Sequence, residues 1–200
     1  MAAGSLSSFF MTPVSVIIGL GNPGEKYAAT RHNVGFWLID RIAVAANEKF
    51  KAEKKVTGDI CRASVAEAKV RLFKPSTFMN ESGRSVRRML DFYKVDAGQI
   101  LVMHDELDLP PGTVRLKRGG GHGGHNGLRD VIAHCGSEFM RLRIGIGHPG
   151  QKSQVTGYVL RPPGGAELRL IEDSLSDAHR AVEVLLQDGL ERAMHFLHSD

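Results

Sequence analysis

The chain has little cysteine and no long apolar run, and each shortage excludes a class of protein. Of its 200 residues only Cys61 and Cys135 are cysteine, and no Cys-x-x-Cys occurs. That argues against a disulfide framework and a thiolate zinc site, and makes a reducing cytoplasm the expected compartment. No apolar stretch approaches the roughly 18 residues that mark a membrane span, so no membrane partner is expected. The aromatic content is 6% and the apolar share 42%, ordinary values for a globular chain. Met1 to Met11 carries the Phe9-Phe10 pair but neither a basic segment nor a long apolar one, so the anatomy of a secretion signal is missing. Residues 1–13 are expected to be a disordered N-terminal extension. No serine sits in a Gly-x-Ser-x-Gly elbow, which disfavours an acyl-enzyme route, and there is no internal repeat.

What is present fits one compact domain over residues 14–200. Val14 to Leu20 reads as a buried first strand stopped by Gly21-Asn22-Pro23-Gly24. A helix follows from about Gly35, its apolar positions Phe36, Ile39, Ala43 and Ala46 at helical spacing. Thr57 to Val65 and Lys69 to Lys74 read as paired strands ended by Pro75, and Asn80 or Ser82 is a candidate cap for the next helix. Ile100 to Met103 predicts a short strand running into His104-Asp105-Glu106. Thr113 to Lys117 and Met140 to Gly147 predict two more, with a helix from Asn126 to Cys135 between them. Leu168, Ile171, Leu175, Ala178, Val182 and Leu185 predict a long final helix, separated by Gly189 from a last turn near His198. Strands interleaved with helices imply an α/β fold: a twisted mixed sheet with helices packed on both faces.

The net charge of +4 is unevenly distributed. Residues 113–152 carry seven Lys or Arg against Asp130 and Glu138. Concentrated positive charge beside glycine-rich chain suits a polyanion; the plainer alternative is a solvated basic face.

Four segments are candidates for chemistry. Gly19, Gly21 and Gly24 match the spacing of a dinucleotide fingerprint, but Pro23 and the following loop intervene before any helix and no acidic residue ends a second strand, so nicotinamide or flavin binding is disfavoured. Thr30-Arg31-His32-Asn33 and Thr77-Phe78-Met79-Asn80 fall at strand mouths, where a histidine can serve as general base with a carboxylate such as Asp105 fixing its tautomer. Residues 119–127, Gly-Gly-Gly-His-Gly-Gly-His-Asn-Gly, lead into a helix and present backbone amides. There Asn126 is a candidate N-cap, substrate ligand or both. His122 and His125, with His104 and Asp105, invite a metal reading, which the absence of a rigid helical pairing weakens.

Taken together and in order, these motifs resemble the bacterial peptidyl-tRNA hydrolase family from about Val14 to Leu197. The resemblance rests on Gly19 to Gly24 with Tyr27 and Thr30 to Asn33, on Lys74 to Asn80 with Ser82-Gly83, and on His104 to Asp108. The glycine loop and Arg141 to Gly150 complete it. It implies an esterase that uses no cofactor and no metal, acting on the ester joining a peptide to tRNA at the acceptor stem and CCA end; the modest size and the lack of a coiled-coil seam beyond the C-terminal helix favour a monomer. By the same resemblance His32 is the base that activates water, Asp105 orients it, and Asn22 recognises the peptide side. Tyr27, Phe78, Met79, Asn80, His125 and Asn126 match positions that bind substrate, and Lys117 and Arg143 positions that hold a tRNA phosphate. Two alternatives remain: a catalytically silent tRNA-binding protein, and a metal-dependent hydrolase on His104, His122 and His125.

Overall fold

The computed structural model describes residues 13–198, so the expected N-terminal extension, all but Pro13, lies outside the described residues. Among these, seven strands form one mixed sheet: β1 (Val16–Gly19), β2 (Lys51–Glu53), β3 (Gly58–Val65), β4 (Ala68–Pro75), β5 (Ile100–Glu106), β6 (Val114–Arg118) and β7 (Met140–Gly145). Their spatial order is β2-β3-β4-β1-β5-β7-β6. Strands β4, β1, β5 and β7 run parallel, while β2–β3, β3–β4 and β6–β7 are antiparallel pairs. Helices α1 (Val34–Ala45), α5 (Gly165–Asp188) and α6 (Leu190–His198) cover one face; α2 (Ser82–Tyr93) and α3 (Asn126–Cys135) cover the other. The short α4 (Val155–Val159) stands at the sheet's end.

The layering follows from side-chain alternation. In β1 and β5, Ile17, Leu101 and Met103 enter the core under α1 and α5, whereas Val16, Ile18, Ile100 and Val102 enter the core under α2 and α3. Central strands buried on both faces read as continuous apolar runs. The α5 stripe of Ile171, Leu175, Ala178, Val182 and Leu185 is buried, as its spacing predicts.

Close approach at two glycines sets the site. A Cβ on Gly35, in the first turn of α1, would lie 2.4 Å from the Met103 carbonyl and 2.6 Å from that of Leu20. One on Gly19 would lie 2.5 Å from the Gly35 carbonyl. The helix start therefore lies flush on β1 and β5, and His32, just before it, arrives beside the carboxyl end of β5.

Several local expectations are corrected. Strand β5 does not stop at Met103 but continues through Glu106, so His104 and Asp105 are strand residues pointing to opposite faces. Neither Asn80 nor Ser82 caps α2: a 3₁₀ turn, Met79–Glu81, precedes it, and the Ser82 hydroxyl donates to the Met79 carbonyl at 2.8 Å. The Gly83 amide in the first turn instead donates to Asp130 of α3 at 2.7 Å. Asn126 is the first residue of α3, and the cap is His125, whose Nδ1 accepts from the Leu128 amide at 3.2 Å.

Gly35→Ala is expected to destabilise the fold by about 1–3 kcal/mol through overpacking against backbone that has no room to move. The check is the urea midpoint, which would stay at the wild-type value if α1 had slack over the sheet.

Candidate active site

The site lies outside the carboxyl ends of β1, β4 and β5, where the chain leaves β1 for one face through α1 and β4 for the other through α2. That is the usual ligand position in open α/β sheets. Its centre is Asp105, 3% exposed. His32 Nδ1 lies 3.0 Å and 2.9 Å from its two carboxylate oxygens, and His125 Nε2 lies 2.8 Å from Oδ1. The tautomers follow from the partners. An ionised carboxylate only accepts, so His32 donates through Nδ1 and keeps an Nε2 lone pair toward the pocket. His125 already accepts at Nδ1 from the Leu128 amide, so its proton is on Nε2 and is donated to Asp105.

Burial alone would raise the Asp105 pKa, yet the electrostatic interactions with His32 and His125 and the hydrogen bonds from both rings hold it far below the carboxylate range. For His32, burial lowers the pKa, but the Asp105 charge and hydrogen bond outweigh it and the net movement is upward. His104, on the opposite face of β5, behaves differently. Burial, then the electrostatic interaction with His125, push it down to about 3 against the pull of Asp105. Its Nδ1–H donates to the Asp105 carbonyl at 2.7 Å and its Nε2 is sealed without a partner among the described residues. His104 is thus a neutral structural group under the strand.

The loop after β1 is fixed by Asn33, which the sequence placed in a candidate segment without giving it a role of its own. Asn33 acts as a strand-like partner to Asn22: its Oδ1 accepts from the Asn22 amide at 2.9 Å and its Nδ2 donates to the Asn22 carbonyl at 2.9 Å. The Asn22 side chain then accepts from the Met79 amide through Oδ1 at 2.8 Å, which leaves its NH₂ for a ligand. The only signal was adjacency to His32.

Nine of the eleven predicted site residues line one pocket of about 280 Å³: Asn22, Tyr27, His32, Phe78, Met79, Asn80, Asp105, His125 and Asn126. Tyr27 and Phe78 meet edge to face at its rim, 6.2 Å between centroids. Asn126 Oδ1 accepts from Arg129 at 3.0 Å, leaving its NH₂ available. Leu107, Val155, Thr156, Val159 and Leu160 also line the pocket and were not foreseen. Lys117 and Arg143 do not line it. They stand on β6 and β7 beside Arg141, and Arg143 is tied to Glu106 at 2.9 Å. Burial, then the neighbouring Arg141 and Arg143, lower the Lys117 pKa. Buried Arg141 donates to the Gly119 and Gly121 carbonyls and so pins the glycine loop.

Of the trio proposed for a metal, His104 and His125 meet edge to face with ring centroids 5.1 Å apart, but the three do not form a ligating group. His104 is sealed beneath β5, and His122 Nδ1 accepts from the Gly124 amide at 3.0 Å. Among the described residues the one His, Asp and Glu grouping within ligating distance is His32, Asp105 and His125. There two of the ring nitrogens point their protons at the carboxylate, which makes it a hydrogen-bonded triad. No helix among the described residues is long and apolar enough to cross a membrane.

The chain is similar to known proteins over most of its length. The family model described as "Peptidyl-tRNA hydrolase" matches residues 16–200. The peptidyl-tRNA hydrolase of Pectobacterium carotovorum is 51% identical over 191 residues, 94% of this chain and 98% of that protein. That of Haemophilus influenzae is 50% identical over 191 residues with the same coverage, 94% and 98%. The crystal structure of peptidyl-tRNA hydrolase from Acinetobacter baumannii superposes with a TM-score of 0.91 at 46% identity, covering 94% of this chain and 96% of that one.

Asp105→Asn is expected to move the His32 titration midpoint downward, because the charge that favours the imidazolium goes and the burial that opposes it stays. NMR titration of the ring Cε1–H reads this directly; a midpoint that held or rose would show that Asp105 is not the cause.

Proposed function

The chain belongs to the peptidyl-tRNA hydrolase family and hydrolyses peptidyl-tRNA, and from that premise we propose that His32 is the general base and Asp105 its orienting partner. The carrying observation is the Nδ1 pairing to a buried carboxylate, which leaves Nε2 basic and facing the pocket. Water held by Nε2 attacks the ester carbonyl as its proton passes to the ring. Charge then develops on the carbonyl oxygen, where the free NH₂ groups of Asn22, Asn80 and Asn126 supply neutral donors. Collapse expels the ribose oxygen, which takes the proton back from His32. An activated carboxylic ester needs less help than an amide: a base contributes about 10²–10⁴-fold and one oxyanion donor about 2.7–4 kcal/mol.

Asn22 is proposed to read the peptide side. A carboxamide pairs with a peptide N–H or C=O, whereas a free α-ammonium would lose hydration there without an anionic partner. N-blocked esters are cut and ordinary aminoacyl-tRNA is spared, returning free tRNA to translation. Tyr27, Phe78, Met79 and His125 shape the pocket for the acyl group and the CCA end. Lys117 and Arg143 are proposed to meet acceptor-stem phosphates, a reading supported by cations that already crowd one another. Arg143 contributes less, its guanidinium being engaged by Glu106. A monomer is supported by α5 burying its apolar stripe in this chain's own core, and a reducing cytoplasm by two free cysteines.

His32→Ala is expected to lower kcat by about 10²–10⁴-fold with tRNA affinity retained, measured as release of N-acetylaminoacyl groups beside the unblocked ester. Wild-type turnover in the variant, or equal cleavage of both esters by the native chain, would defeat the proposal. Lys117→Ala is expected to raise KM, and to flatten its salt dependence by about one counterion, at constant kcat; a fall in kcat alone would contradict phosphate binding.

A further inference from the structure

One wall of the pocket comes from α4 and the residue after it, where Val155, Val159 and Leu160 give an apolar surface beside Thr156. A five-residue helix has no stability of its own, since nucleation is costly and few bonds repay it, so something else holds that wall in place. Its anchor is Arg31, the residue before His32, which is only 7% exposed. Arg31 Nη1 donates to the carbonyls of Tyr158, Arg161 and Pro162 at 3.2, 3.1 and 3.1 Å. Its Nη2 pairs with Glu167 at 2.5 Å, and its backbone amide donates to the Arg161 carbonyl at 3.2 Å. The guanidinium stacks 4.0 Å over the Tyr158 ring, whose hydroxyl lies 2.8 Å from the other Glu167 oxygen and 2.5 Å from the Ile146 carbonyl. Four sequence-distant points thus converge on one side chain in the turn that carries His32, and a planar fork of donors suits that task where an ammonium does not.

We infer that Arg31 is a positioning residue that fixes the apolar wall against His32 and thereby sets the affinity for the acyl part of the substrate. The inference rests on the proposed function only in naming that ligand; the latch itself is a statement about this chain. Because the wall touches a non-reacting part of the substrate, loosening it removes binding that ground and transition states share, so KM moves and kcat does not. The Asp105 pairing that prepares His32 does not pass through Arg31.

The test combines steady-state release of N-acetylphenylalanyl-tRNA with amide hydrogen exchange on the whole chain. Arg31→Lys keeps the charge but cannot satisfy the three carbonyls and Glu167 together. It is expected to raise KM about tenfold with kcat within about twofold, and to accelerate exchange at Leu160 and Arg161 while β5 stays protected. Glu167→Gln, which leaves the fork in place without the ion pair, is expected to fall between wild type and Arg31→Lys, and carries the same test if the lysine variant does not fold. Unchanged KM with unchanged exchange overturns the inference, and so does a loss of kcat at constant KM, which would mean that Arg31 acts through His32. If the native chain released no acyl group at all, the functional reading would fall while the exchange comparison still decided the latch.

Discussion

A single buried carboxylate organises this molecule. Asp105 would be costly in the interior without partners, because an ion removed from water keeps its charge only where donors replace the lost hydration. Two neighbouring imidazoles do so, their ring centroids 4.9 Å apart, one before α1 and one at the cap of α3. Each is held by what Asp105 gives back: His32 has its tautomer fixed with Nε2 outward, and His125 has its ring fixed so that Nδ1 caps α3. The same interaction therefore ties helices on opposite faces to the end of β5 and, under the proposed function, prepares a base. His104 shows the contrast. One residue away, without a carboxylate, the same side chain is kept neutral by burial.

That arrangement requires backbones to approach more closely than side chains normally permit. Gly35 lets α1 lie on the strand ends, and Gly127 leaves room for the Met79 sulfur, 2.5 Å from where its Cβ would sit. Met79 in turn presents the amide that orients Asn22. Packing and chemistry are thus linked through main chain: β1's loop, the turn after β4 and the start of α3 are mutually braced before any substrate arrives. A water-activating base with amide donors depends on such bracing, since preorganised dipoles need no rearrangement as charge develops.

Much of this was legible in the sequence, and the gaps have physical causes. Apolar strands ending in Gly-Asn-Pro-Gly, Pro75 and His104-Asp105 marked the site, because polar groups at the carboxyl ends of parallel strands have few structural reasons to be there. Strand β2, Lys51–Glu53, went unseen since a three-residue, mostly exposed edge carries no apolar pattern. Helix α4 went unseen because Val-Thr-Gly-Tyr-Val is a poor helix former and is held by distant groups. The alternation Met-Arg-Leu-Arg-Ile in β7 reads as exposed arginines, yet Arg141 is 2% exposed, its two terminal nitrogens donating to glycine-loop carbonyls. The metal trio failed for a related reason. His122 and His125 are neighbours in sequence, but positive φ at Gly123 and Gly124, 56° and 84°, turns the loop so that only His125 reaches Asp105.

The charge distribution divides recognition in two. The pocket is furnished with carboxamides, imidazoles and apolar side chains, and its two carboxylates are both engaged, Asp105 by His32 and His125 and Glu106 by Arg143. The cations stand outside it: burial first, then Arg141 and Arg143, lowers the affinity of Lys117 for its proton, and burial, then Arg143, lowers that of Arg141, with Glu106 opposing both. Like charges held close together are a standing electrostatic cost, and under the proposed function an arriving phosphate relieves it. The separation also protects the chemistry. A lysine or arginine inside the pocket would oppose protonation of His32 at the moment it takes the proton from water, whereas neutral amides stabilise the oxyanion without that penalty. Under the proposed mechanism, neutrality at the reacting centre and crowded charge at its margin are therefore two sides of one requirement: the nucleic acid has to be held strongly by groups that leave the base free to work.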